Sequence, residues 1–333
     1  MNQTFTKKFK KNRRGYFSFV ILASLFLVTI FAEFLSNDKP LVVQFNNKFY
    51  FPVIQNIPEK NFGGEFETQT DFRDPAVQEL INKNGWMVFA PIQFSYHTIN
   101  FNIKTPAPSK PTLVNLLGTD DNGRDVLART IYGIRISLIF GLVLTFFSAI
   151  LGIFLGAIQG YFGGLCDLIL QRFLEIWSSM PVLFLLIILS SIITPSFFTL
   201  LILMLLFSWM SLVGYVRAEF LRLRNFDFVR ASKALGASNS RIIFRHILPN
   251  ASPVILANLP FLLAGSIATL TSLDFLGLGL PIGSPSLGEL LAQGKNNLSA
   301  YWLGISGFIT ITTILTLLVF IGEALRDAFD TRK

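Results

Sequence analysis

Charge is rare along most of this chain, and the stretches that carry it are short and clustered. Residues 16–32 form a first apolar run, and further runs cover about 136–162, 173–194, 197–217, 254–273 and 302–322. Each comes near the roughly 20 residues that an α-helix needs to cross the hydrocarbon core of a bilayer. The pattern therefore predicts an all-α membrane protein with six transmembrane helices. Residues 36–135 break it, with Pro, Gly, Asn and aromatic residues interleaved among ten basic and ten acidic ones. Alternation at 42–45 and 94–99 predicts two short strands there. Asp74-Pro75 ahead of 76–83 predicts a capped helix with proline at its first position. The domain reading is a basic N-terminus (1–15), a first helix (16–35), a mixed extracytoplasmic insert with the segment before the second span (36–135), and a five-span core (136–333).

The second run holds Ser148, Gly152, Gly156, Gly160 and Gly164 at intervals of four. That spacing stacks small side chains on one helix face, where a second backbone can approach closely and pack by van der Waals contact. Pro181 lies inside the third run and predicts a kink, and Thr194-Pro195-Ser196 predicts the reversal after it. Three prolines within 106–111 predict a stiff extended linker. Behind it, Leu117-Gly118-Thr119-Asp120-Asp121-Asn122-Gly123-Arg124-Asp125 predicts a solvated turn leading into a short helix toward Arg135. The aspartates lack the spacing and the closing glutamate of a calcium loop. Residues 274–301 return to a Gly/Pro/Ser-rich loop, in which 287–293 predicts a short helix. It fits either a dip toward the bilayer at a substrate entrance or a plain loop helix. Trp302 falls where an interfacial aromatic belongs.

The most polar and basic break is 225–250, NFDFVRASKALGASNSRIIFRHILPN. A helix-forming run ends at Leu235, Gly236 can take the left-handed conformation that closes a helix, Ser238 can cap a second helix, and Pro249 is expected to stop it. Small residues at the bend (Ala234, Gly236, Ala237) make a compact knob. Arg241 and Arg245, one turn apart, give it a positive side.

Composition fits this picture: 52% of the 333 residues are hydrophobic and 14% are charged, outside the balance of a soluble domain. The net charge of +8 does not point to nucleic acid, because six of the 28 basic residues lie in the first fourteen positions and seven more between Arg217 and Arg245, both flanking apolar runs. Threading the six spans with the N-terminus inside puts 17 Lys or Arg on the inner side and 11 outside, with the basic tail 326–333 also inside. Both termini are then cytoplasmic. The first run is too long for a signal peptide and ends without a small-x-small cleavage site. Cys166 has no disulfide partner, and two histidines without paired ligands offer no metal site. Glu33, Arg135 and Asp274 stand near the outer ends of spans, where interfacial exposure or structural pairing is expected. The chain has no phosphate-binding G-x4-G-K-[ST] loop, no nucleophile beside a base and no paired carboxylates, so no catalytic residue is assigned.

Three separated motifs resemble the permease subunits of ATP-binding-cassette importers, in their dipeptide and oligopeptide branch. The 225–250 segment is similar to the family's cytoplasmic E-A-A-x3-G-x9-I-x-L-P loop, with Ala231, Gly236, Leu248 and Pro249 matching. Arg230, Ser232 and His246 replace the glutamate, the second alanine and the isoleucine. The stretch LGTDDNGRDVLARTIYGIRISL at 117–138 and Ser272-Leu273-Asp274-Phe275-Leu276-Gly277-Leu278-Gly279 resemble the C-type permease of that branch. Residues 63–86 and 91–101 look like the insert of the Yej-type oligopeptide and microcin C permeases.

The resemblance implies a type I importer permease fold in a bacterial inner membrane and import of oligopeptides or peptide-like compounds of the microcin C kind. Relatives also carry nickel chelates and glutathione-like solutes. It implies a heterodimer with a B-type permease, two ATP-binding domains or subunits that hold ATP and magnesium, and a periplasmic peptide-binding protein. This chain would bind no cofactor itself. Its candidate ATPase-coupling residues are Arg230, Ala231, Ala234, Leu235, Gly236, Ala237, Arg241, Ile242, Phe244, Arg245 and Pro249, with Leu235, Ile242 and Phe244 as the apolar docking contacts. Substrate-binding residues are not assigned, because the path is expected between two permeases. A stand-alone secondary transporter is the rival reading, but such proteins usually carry intramembrane charges or an internal repeat, and neither is evident here.

Overall fold

The computed structural model describes residues 2–103 and 105–329; the end of the basic tail, 330–333, lies outside the described residues. Among the described residues, five helices are long and apolar enough to cross a membrane: Arg13–Ile30, Val126–Phe162, Phe197–Leu223, Asn239–Phe275 and Tyr301–Phe329. A sixth crossing is available if the pair Gly164–Ser178 and Val182–Leu189, bent by 64°, forms one span. Pro181 therefore breaks the third span rather than kinking it, and the first half of the pair takes in the polar residues 167–175.

Two further boundaries differ from expectation. The second span begins at Val126, ten residues before 136, because Asp125 accepts a hydrogen bond from the Ala128 amide (2.7 Å) and caps the helix there. Arg129 and Arg135 are thus part of a 37-residue helix, not of a short one ahead of it. The fourth span starts at Phe197, after the expected reversal, with Ser196 Oγ accepting from the Thr199 amide at 3.1 Å, and it reaches Leu223 rather than 217.

The chain divides into two compact units. The first contains Met1–Ser24, Ser137–Pro281 and Ile311–Lys333. Within it the small-residue face of Val126–Phe162 meets the helix Met210–Leu223 and the residue before it. A Cβ on Gly152 would lie 2.9 Å from the Trp209 carbonyl oxygen, one on Gly156 2.8 Å from that of Val213, and one on Gly160 2.6 Å from that of Arg217. Ser148 continues the line with a hydrogen bond to Ser208. Gly164 does not belong to it: the helix ends at Phe162, and Gly163 and Gly164 take φ of +65° and +54° to start the next one. An Arg217–Asp167 ion pair (2.5 and 2.8 Å) fastens that next helix to the fourth span.

The second unit contains Leu25–Ile136 and Ile282–Thr310. Its three-stranded antiparallel sheet has the order β2-β1-β3, with β1 Pro40–Phe45, β2 Lys48–Tyr50 and β3 Gly85–Phe89. Of these, sequence reading finds β1 alone. The β1–β2 turn is Asn46-Asn47 with φ of +50° and +60°, the left-handed pair that a two-residue hairpin requires and that asparagine tolerates. Residues 94–99 are not a strand: the Ser95 amide donates to Thr98 Oγ1 and the Thr98 amide to the Ser95 carbonyl, closing a turn instead. The helix Pro75–Asn84 forms as predicted, its Ala76 amide bonded to the Asp74 carboxylate at 2.8 Å. With the sheet it encloses Val43, Phe45, Phe62, Phe72, Val77 and Ile81. The proline-rich stretch at 106–111 is not free, since Ser109 and Thr119 exchange backbone and hydroxyl bonds.

Candidate functional site

The basic segment of the first unit is built as helix, bend and helix. Asp227–Ala234 has an acidic residue at its positive end, and Gly236 closes the bend at φ +78°. Ser238 then caps the next helix, its Oγ accepting from the Arg241 amide at 3.4 Å. This second helix does not stop at Pro249. It runs from Asn239 through a π-helical turn at Ile242–Ile247 and on through Leu248–Phe275. The wider π turn admits the Pro249 ring without the usual clash one turn back. Ser252 Oγ donates at 2.8 Å to the Pro249 carbonyl, which Pro253 leaves without its α-helical donor. The loop and the fifth span are therefore one continuous helix, 37 residues long.

Most of the predicted coupling residues are at the surface. Arg230, Ala231, Ala234, Gly236, Arg241, Arg245 and Pro249 are exposed, and Leu235 and Phe244 are 88% and 63% exposed despite being large and apolar. Ile242 is 0% exposed and is not a docking contact: it packs with Tyr161, Phe220, Val229 and Ile247 in the core beneath the loop. Ala237 is half-buried against the same core. Sequence reasoning missed Val229, which with Leu235 still visible on the outside marks the inner face of the first short helix.

A cavity of about 570 Å³ opens between the third, fourth and fifth spans, lined by Leu186, Met204, Ser211, Tyr215, Asn258 and Thr269 among others. Its wall is mainly apolar. Ser211, Asn258 and Thr269 spend their donors on carbonyls of their own helices, those of Ser208, Val254 and Gly265.

In the second unit the turn at 117–125 is largely buried, with Asp121 and Asn122 exposed at its tip. Arg124 Nε binds Asp120 at 2.7 Å, Arg129 Nη2 binds Glu289 at 2.8 Å, and Arg124 also reaches Glu289 at 3.1 Å. Asp120 and Arg129 have no exposed side-chain surface. Burial pushes the Asp121 and Asp125 carboxyls above their ordinary range, Asp125 despite bonds from the Ala128 amide and Asn115. Glu289 lies on Leu287–Asn296, so the loop helix is held by ion pairs as well as by buried Leu287 and Leu290. Arg135 pairs with both oxygens of Glu33 (2.8 and 2.9 Å). Trp302 is buried, its indole N–H donating to the Thr119 carbonyl at 3.2 Å, and so is not an interfacial anchor. In the first unit Asp274 accepts from the Leu280 amide at 2.7 Å and folds its own loop.

Residues 150–333 match the model of the binding-protein-dependent transport system inner membrane component, and residues 2–52 match that of the N-terminal TM domain of oligopeptide transport permease C. Over the full chain and 98% of the relative, the sequence is 55% identical to the inner membrane ABC transporter permease protein YejE of Escherichia coli (strain K12). It is 55% identical to the peptidoglycan transport system permease protein YejE of Agrobacterium fabrum, covering 98% of this chain and 92% of that one. The oligopeptide transport system permease protein OppC of Bacillus subtilis is 36% identical over 74% of this chain and 80% of its own. Among solved structures, a chain of the inward-facing MetNI methionine ABC transporter aligns with 61% of this chain and 98% of that one at a TM-score of 0.51 and 17% identity, a likeness of fold. Exposed loop, six-run pattern and full-length relatives agree, and the chain belongs to the binding-protein-dependent transport system inner membrane components, the permeases of ABC importers.

Proposed function

We propose that this chain is one of two permeases in an ATP-driven importer of oligopeptides or peptide-like compounds. The substrate class follows the relatives, whose names specify oligopeptide, dipeptide and peptidoglycan transport. The peptidoglycan name, carried by a relative at 55% identity, favours cell-wall peptides within that class. A B-type permease completes the substrate path, a periplasmic binding protein delivers to it, and both termini of this chain face the cytoplasm. The chain is non-catalytic; ATP and magnesium are bound by the partner ATPases.

The observation that carries the mechanism is the unbroken helix from Asn239 to Phe275. Its lower end, with the bend at Gly236, presents Leu235 and Phe244 to an ATPase groove. Its upper part contributes Asn258 and Thr269 to the cavity wall. Closure of the ATPases around ATP displaces the loop, and a helix that moves as a rod carries the displacement to the cavity. A two-state element biased by a bound nucleotide is the physical requirement for such coupling.

Purification in mild detergent should recover an ATPase and a second permease with this chain; a chain that transports when reconstituted alone would be a secondary carrier. Within the assembled transporter, Gly236→Trp places a side chain at φ +78°, a conformation costing an L-residue about 1–2 kcal/mol, and puts an indole on the docking knob. Expected are insertion and assembly with ATP hydrolysis no longer driving peptide uptake. Unchanged uptake would remove the loop from the coupling path.

A further inference from the structure

Tyr161 is the last buried side chain of the helix Val126–Phe162, 5% exposed. Its hydroxyl donates to Asn239 Oδ1 at 2.7 Å, and Lys233 Nζ lies 5.1 Å from the centre of its ring. Those two residues stand at equal distance in sequence on either side of Gly236. Lys233 is in the last turn of the first short helix, and Asn239 opens the second. One side chain from another helix thus touches both arms of the bend.

The two contacts differ in kind. A hydroxyl-to-amide hydrogen bond is directional and fixes where the second arm begins, whereas an ammonium over a ring tolerates sliding. The arms are also joined through 235–238, where the Ala237 amide donates to the Ser232 carbonyl at 3.1 Å, and by Val229 packing with Ile242 and Ile247 beneath them; Gly236, at φ +78°, is the point where their angle is set. The base of the clamp is itself fixed. A Cβ on Gly160 would lie 2.5 Å from Phe220 Cβ, so the helix end has no room to slide against the fourth span. Arg224 Nη1 also reaches the carbonyls of Gly160 and Tyr161, at 3.4 Å each.

We propose that Tyr161 is a positioning residue that locks the angle of the coupling loop and passes its movement to the second span as well as the fifth. This rests on the coupling role proposed above. Without the clamp the loop still docks, but its displacement is absorbed by flexing at Gly236.

The test uses the assembled transporter in lipid vesicles with its binding protein, and trialanine as the probe. Tyr161→Phe keeps the ring and its contact with Lys233 and removes only the hydroxyl. The complex should be recovered in normal yield with ATP hydrolysis retained, and trialanine taken up per ATP hydrolysed should fall about five-fold, the population shift that one hydrogen bond supports. Asn239→Ala should give the same loss and the double variant no further loss. Asn239→Asp keeps the acceptor and should hold the wild-type ratio. An unchanged ratio in Tyr161→Phe overturns the proposal, and so do independent, multiplying losses in the double variant. Gly236→Trp in the same vesicles separates the two ideas. If it uncouples and Tyr161→Phe does not, the clamp fails and the coupling role stands; if neither uncouples, both fail.

Discussion

At Gly156 even a single added methyl group would collide with the fourth span. A Cβ there would lie 2.7 Å from Val216 Cβ and 2.8 Å from the Val213 carbonyl oxygen, and the carbonyl belongs to a helix that cannot yield locally. Gly156→Val should cost about 1–3 kcal/mol by overpacking. Gly265, with nothing within 4 Å of its Cβ position, is the control: Gly265→Ala should be neutral or slightly stabilising. Thermal unfolding in detergent measures both. The sequence made this face legible because period-four spacing has one geometric meaning on a helix. Spacing alone does not show that the period outlasts the helix: Gly164 keeps the interval of four, but the helix ends two residues earlier, at Phe162. Ile242 failed for a different reason. By composition it equals Leu235 and Phe244, and only the π turn and the packing of Val229 and Ile247 around it decide which of the three faces inward.

At the scale of elements, local chemistry was readable and long-range partnership was not. Asp74-Pro75, Gly236 and Ser238 act within a turn of where they stand, and each begins or ends its helix as its chemistry dictates. Arg129 shows the converse. Placing charges outside membrane spans sets the start of the second helix at 136, because the shorter of the ion pairs that neutralise Arg129 is to Glu289, 160 positions away. The buried turn and the loop helix Leu287–Asn296 are joined through this guanidinium and that of Arg124, and Arg129 also donates to the Ser284 carbonyl at 2.9 Å. Arg129→Met retains much of the volume but leaves Asp120 and Glu289 to share Arg124 alone as their buried cation. Removing one partner of such a network costs about 3–5 kcal/mol. Proteolysis or hydrogen exchange should show the loop helix loosening first, while the sheet around Phe62 keeps its protection. Equal protection of the loop helix in the variant would mean that Leu287 and Leu290 hold it without the ion pairs.

For the whole molecule, family membership was legible from three separated motifs, whereas the continuity of the fifth span was not, because Pro249 reads as a stop. That continuity makes a mechanical claim. If displacement of the loop reaches the cavity through a rod, softening the rod between them should uncouple transport without touching either end. Asn250 and Ser252 sit at that joint, and both brace it from outside: Asn250 Nδ2 donates to the His246 carbonyl at 2.6 Å, and Ser252 Oγ to that of Pro249 at 2.8 Å. Both are at least partly exposed, so replacing them leaves the core residue Ala251 in place. The double variant Asn250→Gly, Ser252→Gly keeps the helical register, removes both braces and lowers helix propensity by about 0.5 kcal/mol at each position. The ATPase should still copurify, since Leu235 and Phe244 are untouched, and ATP hydrolysis should continue while peptide uptake per ATP falls several-fold. Restoring serine at 252 alone should recover part of the loss, because it returns a donor to the carbonyl that Pro253 orphans. If uptake per ATP is the same in the double variant as in the wild type, the fifth span does not act as a rod, and the loop must drive the cavity through the second or fourth span instead.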